Sequence, residues 1–223
     1  MEKLIALKRE EIFRDTTNWY LNQENAVTIE LIDFAAQNAG PNILDIGCAT
    51  GDYCIALTKR GFKCTGTDIN PQYIEKARDK NVNAFLSEKD HLDFPDNSFD
   101  TTLLFEVLEH VDNPQNLLKE AKRVAKKNVL ITVPNCSQLS QLSKFNLTYE
   151  HILEDDHVNF FTKNDLEDLL SRVFNKYNII EGDLMRLGAT GLPSPLRTLI
   201  LGLYKIKLVN FDISYRLYAM AEV

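Results

Sequence analysis

The sequence predicts an α/β protein built on a largely parallel sheet. Short apolar runs bounded by turn residues alternate with stretches of helical periodicity along most of the chain, the pattern that parallel strands joined by crossover helices produce. A glycine-bearing turn, GCATG at 47–51, joins the first such run to a helix start. An acidic residue, Asp68, closes the second run about 20 positions later, the spacing of a βαβ unit that grips a nucleoside.

The elements follow in order. Residues 25–38 predict an amphipathic helix through Ile29, Ile32 and Ala36, stopped by Gly40-Pro41. Ile43, Leu44 and Ile46 make the first strand, and Ile55, Ala56 and Lys59 the helix after the glycine turn, with Gly61 as its stop. Residues 63–67 are the second strand, and Asn70-Pro71 then places an N-cap and a first-turn proline ahead of Tyr73, Ile74 and Ala77. Strands are expected at 83–86, 99–106 and 128–133, the last ended by Pro134, with a helix at 114–125 capped by Asn113. Thr162 with Asp165 predicts a capping box opening a helix that runs to Phe174, and strands at 177–187 and 213–223 complete the chain. Two segments, 135–161 and 188–212, are too long for plain connections and predict lids or binding loops.

Composition fits one soluble domain over 1–223, in which 1–40 would form an N-terminal helical cap. With 223 residues, 44% hydrophobic and 26% charged, the chain is long enough for a single substantial core. The N-terminus matches neither a signal nor a transit peptide, and the apolar run near 199–209 is interrupted by Lys205 and Lys207, so a cytoplasmic protein with no transmembrane segment is expected. Cys48, Cys54, Cys64 and Cys136 form no CxxC pair, which favours reduced thiols over disulfides or zinc. The net charge of −7 disfavours a free nucleic acid as partner, and the basic run 119–127, split by Glu120, reads as a solvated face.

The glycine turn narrows the ligand class. A dinucleotide loop needs G-x-G-x-x-G so that backbone approaches a pyrophosphate, but its second and third glycine positions are here Ala49 and Asp52. Asp45 and Asp52 put negative charge near the loop, which repels phosphate and suits an ammonium or sulfonium cation. Asp68 is placed to accept two hydrogen bonds from ribose hydroxyls.

ILDIGCATG, GTDINPQYIEKAR, LDFPDNSFD, EVLEHV and VLITVPN, in that order between residues 43 and 135, resemble the successive motifs of class I S-adenosylmethionine-dependent methyltransferases. The resemblance implies a Rossmann-like three-layer sandwich, its seven-stranded sheet mostly parallel with an antiparallel last strand and helices on both faces. It implies S-adenosylmethionine as cofactor, with S-adenosylhomocysteine as product. Asp45, Gly47 and Gly51 would surround the methionine end, Asp68 would hold the ribose, Glu88 with Lys89 next would meet the adenine, and Cys48, Ala49, Ile69 and Phe105 would be further cofactor-binding residues. Glu88 departs from the aspartate usual at its position.

The histidines discriminate the chemistry. His157, before the helix that Thr162 opens and at the end of the long 135–161 segment, is the candidate catalytic base or hydrogen-bond partner for an acceptor hydroxyl. His110 reads as structural. Glu106, Glu109 and His110 also have the i, i+3, i+4 spacing of one face of a helical turn, to which His157 would add a fourth ligand. Two branches of the resembled family, small-RNA 3′-end ribose methyltransferases and polyprenyl-quinone O-methyltransferases, bind a divalent metal through such a cluster, although no metal ligand is assigned here. Trp19, Tyr20, Phe145, Tyr149, Phe160 and Phe161 would line an apolar acceptor pocket. The expected function is S-adenosylmethionine-dependent methylation of a small molecule, at oxygen in preference to nitrogen or carbon, with homo-oligomerisation left open. The alternatives are a metal-assisted RNA ribose 2′-O-methyltransferase and a methyltransferase-like binding protein without turnover.

Overall fold

A computed structural model describes residues 19–22, 27–88, 91–137, 156–184, 194–206 and 214–223, with 139, 154 and 208 as single positions. Its sheet contains β1 (Asn42–Ile46), β2 (Lys63–Asp68), β3 (Ala84–Leu86), β4 (Phe99–Phe105), β5 (Ala125–Pro134), β6 (Lys176–Leu184) and β7 (Ser214–Glu222). The strand order is β3-β2-β1-β4-β5-β7-β6, and only β7 runs antiparallel to its two neighbours. Strand order reverses between β1 and β4, which makes their carboxyl ends the switch point where open α/β sheets hold ligands.

Alternate side chains of the strands feed two cores. Leu44, Ile46, Leu104, Val129, Ile131 and Leu217 pack with α4 (Pro114–Val124) and α5 (Lys163–Ser171) on one face. Ile43, Leu103, Leu130 and Tyr218 pack on the other with α1 (Ile29–Asn38), α2 (Asp52–Lys59) and α3 (Pro71–Asp79). This is the three-layer arrangement expected, and it explains why the central strands read as unbroken apolar runs: both faces are covered.

The caps agree with the sequence. Asn70 Oδ1 accepts from the amides of Gln72 and Tyr73 at 2.9 and 3.4 Å ahead of Pro71, and the Thr162–Asp165 capping box is formed on both sides. Boundaries differ at several ends: the helix opened by Thr162 stops at Ser171 rather than Phe174, β6 begins at Lys176 rather than 177 and β3 at Ala84 rather than 83, and three further differences have a visible cause. β5 begins at Ala125 rather than 128, because Ala125 leaves the helix with extended dihedrals, is buried and pairs with Phe99. β4 ends at Phe105 rather than Glu106, whose φ of 54° takes it out of the strand. The first helix starts at Ile29 with Thr28 before it; residues 25 and 26 lie outside the described set.

Of the two long segments, 188–212 contains the helix α6 (Ser194–Lys205), and 135–161 is described only at its ends and at single positions. Most of 1–40 lies outside the described residues, but Trp19–Asn22 forms a 3-10 turn against α3, with Tyr20 edge-on to Tyr73 at 6.0 Å and the Lys76 ammonium donating to the Leu21 carbonyl.

Candidate functional site

The loop between β1 and α2 is folded by its own backbone. The amides of Gly47 and Cys48 both donate to Thr67 O, at 2.8 and 3.0 Å, so the loop is tied to the end of β2. Gly47 and Gly51 adopt φ of 75° and 79°, and a Cβ on them would lie 2.6 Å from Val107 and 2.8 Å from Val82 respectively. Glycine is required at both positions for conformation and for space. Ala49 takes φ 45°, a strained conformation for a residue with a Cβ, and its amide donates to Asp68 Oδ2 at 2.9 Å. Asp68 Oδ1 accepts from the Asn70 amide at 2.8 Å. One carboxylate therefore fixes the loop of the first strand to the helix start after the second.

The expected cofactor residues converge on one edge of the sheet. Asp45 lies in β1 and Gly47, Cys48, Ala49 and Gly51 follow it, Asp68 ends β2 with Ile69 next, Glu88 follows β3 and Phe105 ends β4. Asp45, Cys48, Asp68 and Phe105 are buried, whereas Ile69 and Glu88 are exposed at the edge; Lys89 lies outside the described residues. Phe105 is fixed by aromatic contacts to Phe34 and Tyr53, at 6.2 and 5.9 Å between centroids.

Electrostatically, Asp45 dominates the loop. Burial pushes its carboxyl up to about 7, against the opposing thiol of Cys54 at 3.7 Å and with a further upward push from Asp68. Burial also raises Asp68, although the amides of Asn70, Ala49 and Ile69 oppose it. Asp52 departs from expectation: it contacts Lys80 at 2.8 Å and Thr50 Oγ1 at 3.0 Å, so its charge is met within the loop rather than offered to a ligand. All four cysteines are buried, with Cys54 and Cys64 sharing a sulfur contact at 2.8 Å.

Beyond β4 the chain turns through Glu106 into a 3-10 turn, Leu108–His110. The returning segment is tied onto this turn: Val158 and Asn159 amides donate to Glu109 O at 2.8 and 3.0 Å, and Asn159 Nδ2 donates to Leu108 O and Val111 O at 3.0 and 2.6 Å. These bonds set His157 edge-on to His110, with centroids 4.6 Å apart, and bring His157 Nε2 to 3.1 Å from Glu154 Oε2. The His157 side chain is only 3% exposed. Burial lowers the affinity of His110 for its proton, but the contacts with Asp156, including 3.3 Å from Nδ1 to Oδ2, outweigh it and raise the net value.

Glu109 is 1% exposed, and neither of its carboxylate oxygens has a hydrogen-bond partner among the described residues. Burial, then Glu106 and Glu154, push its carboxyl well above the usual range. Glu109, His110 and His157 each offer a ligand atom within 4.8 Å of the others, as do Glu154, Asp156 and His157. Glu106 does not join them as the helical spacing suggested. Its left-handed backbone places it outside the turn, and its carboxylate accepts from Arg216 Nε at 3.1 Å.

Several residues at this edge escaped the sequence reading. Arg216 of β7, 5% exposed, pairs with Glu106 and with Asp183 of β6, and Tyr218 donates to the same Asp183 oxygen at 2.8 Å. No local motif marks this network, because its members lie on β6, on β7 and just past the end of β4, and are brought together only by the antiparallel insertion of β7. Asn159 is likewise invisible without its partners. Tyr53 lies edge-on to Phe105 and accepts from the Thr28 amide at 3.1 Å, and Tyr20 lies edge-on to Tyr73; desolvation raises both hydroxyls, with smaller upward contributions from Glu106 on each and from Glu109 and Glu154 on Tyr20. Of the aromatics expected to line an acceptor pocket, Tyr20 is at this cluster, Phe160 is exposed and Phe161 is part of the core under α5; Phe145 and Tyr149 lie outside the described residues.

A strained glycine loop at the switch point, a carboxylate at the tip of β2, and a sheet closed by β7 between β5 and β6 together define the fold class of S-adenosylmethionine-dependent methyltransferases. The chain belongs to the methyltransferase-domain family, whose model matches residues 20–173. It is 38% identical over 93 residues to a demethylmenaquinone methyltransferase of Tropheryma whipplei, a match covering 40% of this chain and 38% of that protein. It is 30% identical over 108 residues to a ubiquinone biosynthesis O-methyltransferase of Coxiella burnetii, with 46% of each covered. The chain thus spans less than half the length of these curated relatives. Its fold is similar to that of a SAM-dependent methyltransferase from Archaeoglobus fulgidus, with TM-score 0.65, 17% identity and 93% of this chain and 98% of that one covered.

Proposed function

We propose that the chain transfers the methyl group of S-adenosylmethionine to a hydroxyl of a small-molecule acceptor. The observation that carries this reading is the Asp68 carboxylate, which holds the strained Ala49 amide and the α3 start together at the switch point, opposite a buried Asp45. In this reading Asp45 faces the cofactor's ammonium, Gly47, Cys48, Ala49 and Gly51 pass along its methionine end, Asp68 and Ile69 hold the ribose, and Glu88 with Lys89 contacts the adenine. The acceptor oxygen attacks the methyl carbon in line with the leaving sulfur; the O–C bond forms as the C–S bond breaks, and S-adenosylhomocysteine leaves with the electron pair. Orientation alone can supply on the order of 7 to 11 kcal/mol of such a barrier.

His157 takes the acceptor's proton in this proposal, its ring held by Glu154, His110 and the Asn159 anchor. That buried base favours a hydroxyl acceptor, as does the likeness to a relative named as an O-methyltransferase. The segments 135–161 and 188–212, with the 1–40 cap, would enclose the acceptor within a single domain. Calorimetry with S-adenosylhomocysteine tests the cofactor half: wild type binds, Asp68→Ala loses at least tenfold in affinity, and equal binding by the two would overturn the assignment. His157→Ala should keep that affinity while losing turnover of a labelled methyl donor against a metabolite extract.

A second reading is favoured by the two oxygens of Glu109, which have no hydrogen-bond partner among the described residues. Buried carboxylate oxygens beside two imidazoles fit a divalent cation of the Mg²⁺, Mn²⁺ or Zn²⁺ class, held by Glu109, His110 and His157. When bound, such an ion would acidify an acceptor hydroxyl. Direct metal titration with Glu109→Gln as control tests the site, and methyl transfer unchanged by exhaustive chelation would dispose of this version.

A further inference from the structure

We infer that α6 docks the protein onto the surface of an anionic lipid bilayer. Leu196 and Leu199 on α6 are 44% and 58% exposed, and Ile206 and Leu208 just beyond it are 65% and 70% exposed. At about 100° per residue, positions 196, 199 and 206 fall within about 80° of arc, so they form one solvent-facing stripe rather than scattered apolar residues. Among the described residues α6 makes no substantial packing with any other helix or strand.

Charge selects the occupant. Residues 184–211 carry Arg186, Arg197, Lys205 and Lys207 and no Asp or Glu, in a chain whose net charge is −7. An apolar stripe within a basic, acid-free segment suits acyl chains beneath anionic headgroups. A second copy of the chain is the poorer occupant, since a symmetric contact through α6 would set this basic segment against itself. Nor does the helix span a bilayer: it has 12 residues, and no helix among the described residues is long and apolar enough to cross.

Its place in the fold gives the docking a use. α6 lies in the connection that leaves β6 at Leu184, paired with Ser214, and returns into β7 two residues before Arg216. Arg216 pairs with Glu106, at the start of the turn that carries Glu109 and His110. Docking through this connection would hold the protein at the surface where an acceptor with a lipid-soluble tail is found; this last step rests on the methyl-transfer reading.

The test is sedimentation of the full chain with vesicles of phosphatidylglycerol mixed into phosphatidylcholine, against phosphatidylcholine alone. Binding to the anionic vesicles only, reversed by high salt and weakened at least tenfold in the doubly substituted Leu199→Glu, Ile206→Glu variant, is expected. The variant's circular dichroism and S-adenosylhomocysteine affinity should match wild type, because the stripe is solvent-exposed. Failure to bind anionic vesicles would overturn the inference, as would vesicle binding indifferent to the substitutions, or a dimer in size-exclusion chromatography that the substitutions dissolve. Wild type that binds vesicles but not S-adenosylhomocysteine would instead sink the methyl-transfer reading and leave the docking intact.

Discussion

Asp45 shows how burial makes the contribution of a single residue depend on pH. It lies in β1, one residue before its end, at 2% exposure, and burial raises its carboxyl from an ordinary 3.8 to about 7. A folded-state value above the unfolded one means that the folded chain holds the proton more tightly. Its contribution is therefore most favourable below about pH 4 and is lost as pH rises through 7. Asp45→Asn, uncharged throughout, removes that loss. Urea unfolding of the two proteins should show a gap in favour of the variant that widens by on the order of 3 to 4 kcal/mol between pH 4 and 8. A gap independent of pH would mean that burial does not hold the proton on Asp45. Under the proposed function the same substitution weakens S-adenosylhomocysteine binding, since the ionised carboxylate is what an ammonium would meet, and the wild-type affinity should rise between pH 6 and 8.

At the scale of elements, the edge carrying the histidines is held by two devices that act between segments far apart in sequence. Asn159 gives both hydrogens of its side-chain amide to carbonyls of the 3-10 turn region, Leu108 and Val111. Asn159→Ala leaves those acceptors without their donor, at a cost of about 1 to 3 kcal/mol. Because His157 is two residues away, turnover in the proposed reaction should fall further than stability does, with S-adenosylhomocysteine affinity retained. Arg216 ties β7 to Asp183 on β6 and to Glu106 beyond β4. Arg216→Met strands two carboxylates against a buried methionine and should cost about 3 to 5 kcal/mol in urea unfolding. Substituting Asp183→Asn as well should recover part of that loss, and an additive double mutant would show the pair to be uncoupled.

The whole molecule divides into a half legible in sequence and a half that is not, and the division is physical. Strands β1 to β5, their caps and the glycine loop are specified by local signals: apolar runs covered on both faces, Asn70 before Pro71, glycines where φ must be positive. The loop residues and Asp68 could therefore be placed from spacing alone. The edge that carries His110 and His157 depends on contacts between distant segments, such as Arg216 reaching Glu106 across 110 positions, and no local pattern announces them. Helical periodicity even misplaced Glu106, because a left-handed residue interrupts the turn. The two halves make a joint prediction about the intact chain. A ligand that binds only the folded state at 100 times its dissociation constant adds about 2.7 kcal/mol of stability. For a chain of 223 residues that is a rise in Tm of roughly 5 to 11 °C. Differential scanning calorimetry with S-adenosylhomocysteine should show it for wild type and for His157→Ala, and should show little or none at the same concentration for Asp68→Ala. If His157→Ala also lost the shift, the cluster beyond β4 would belong to the cofactor pocket, and the proposed division between a cofactor side and an acceptor side would fail.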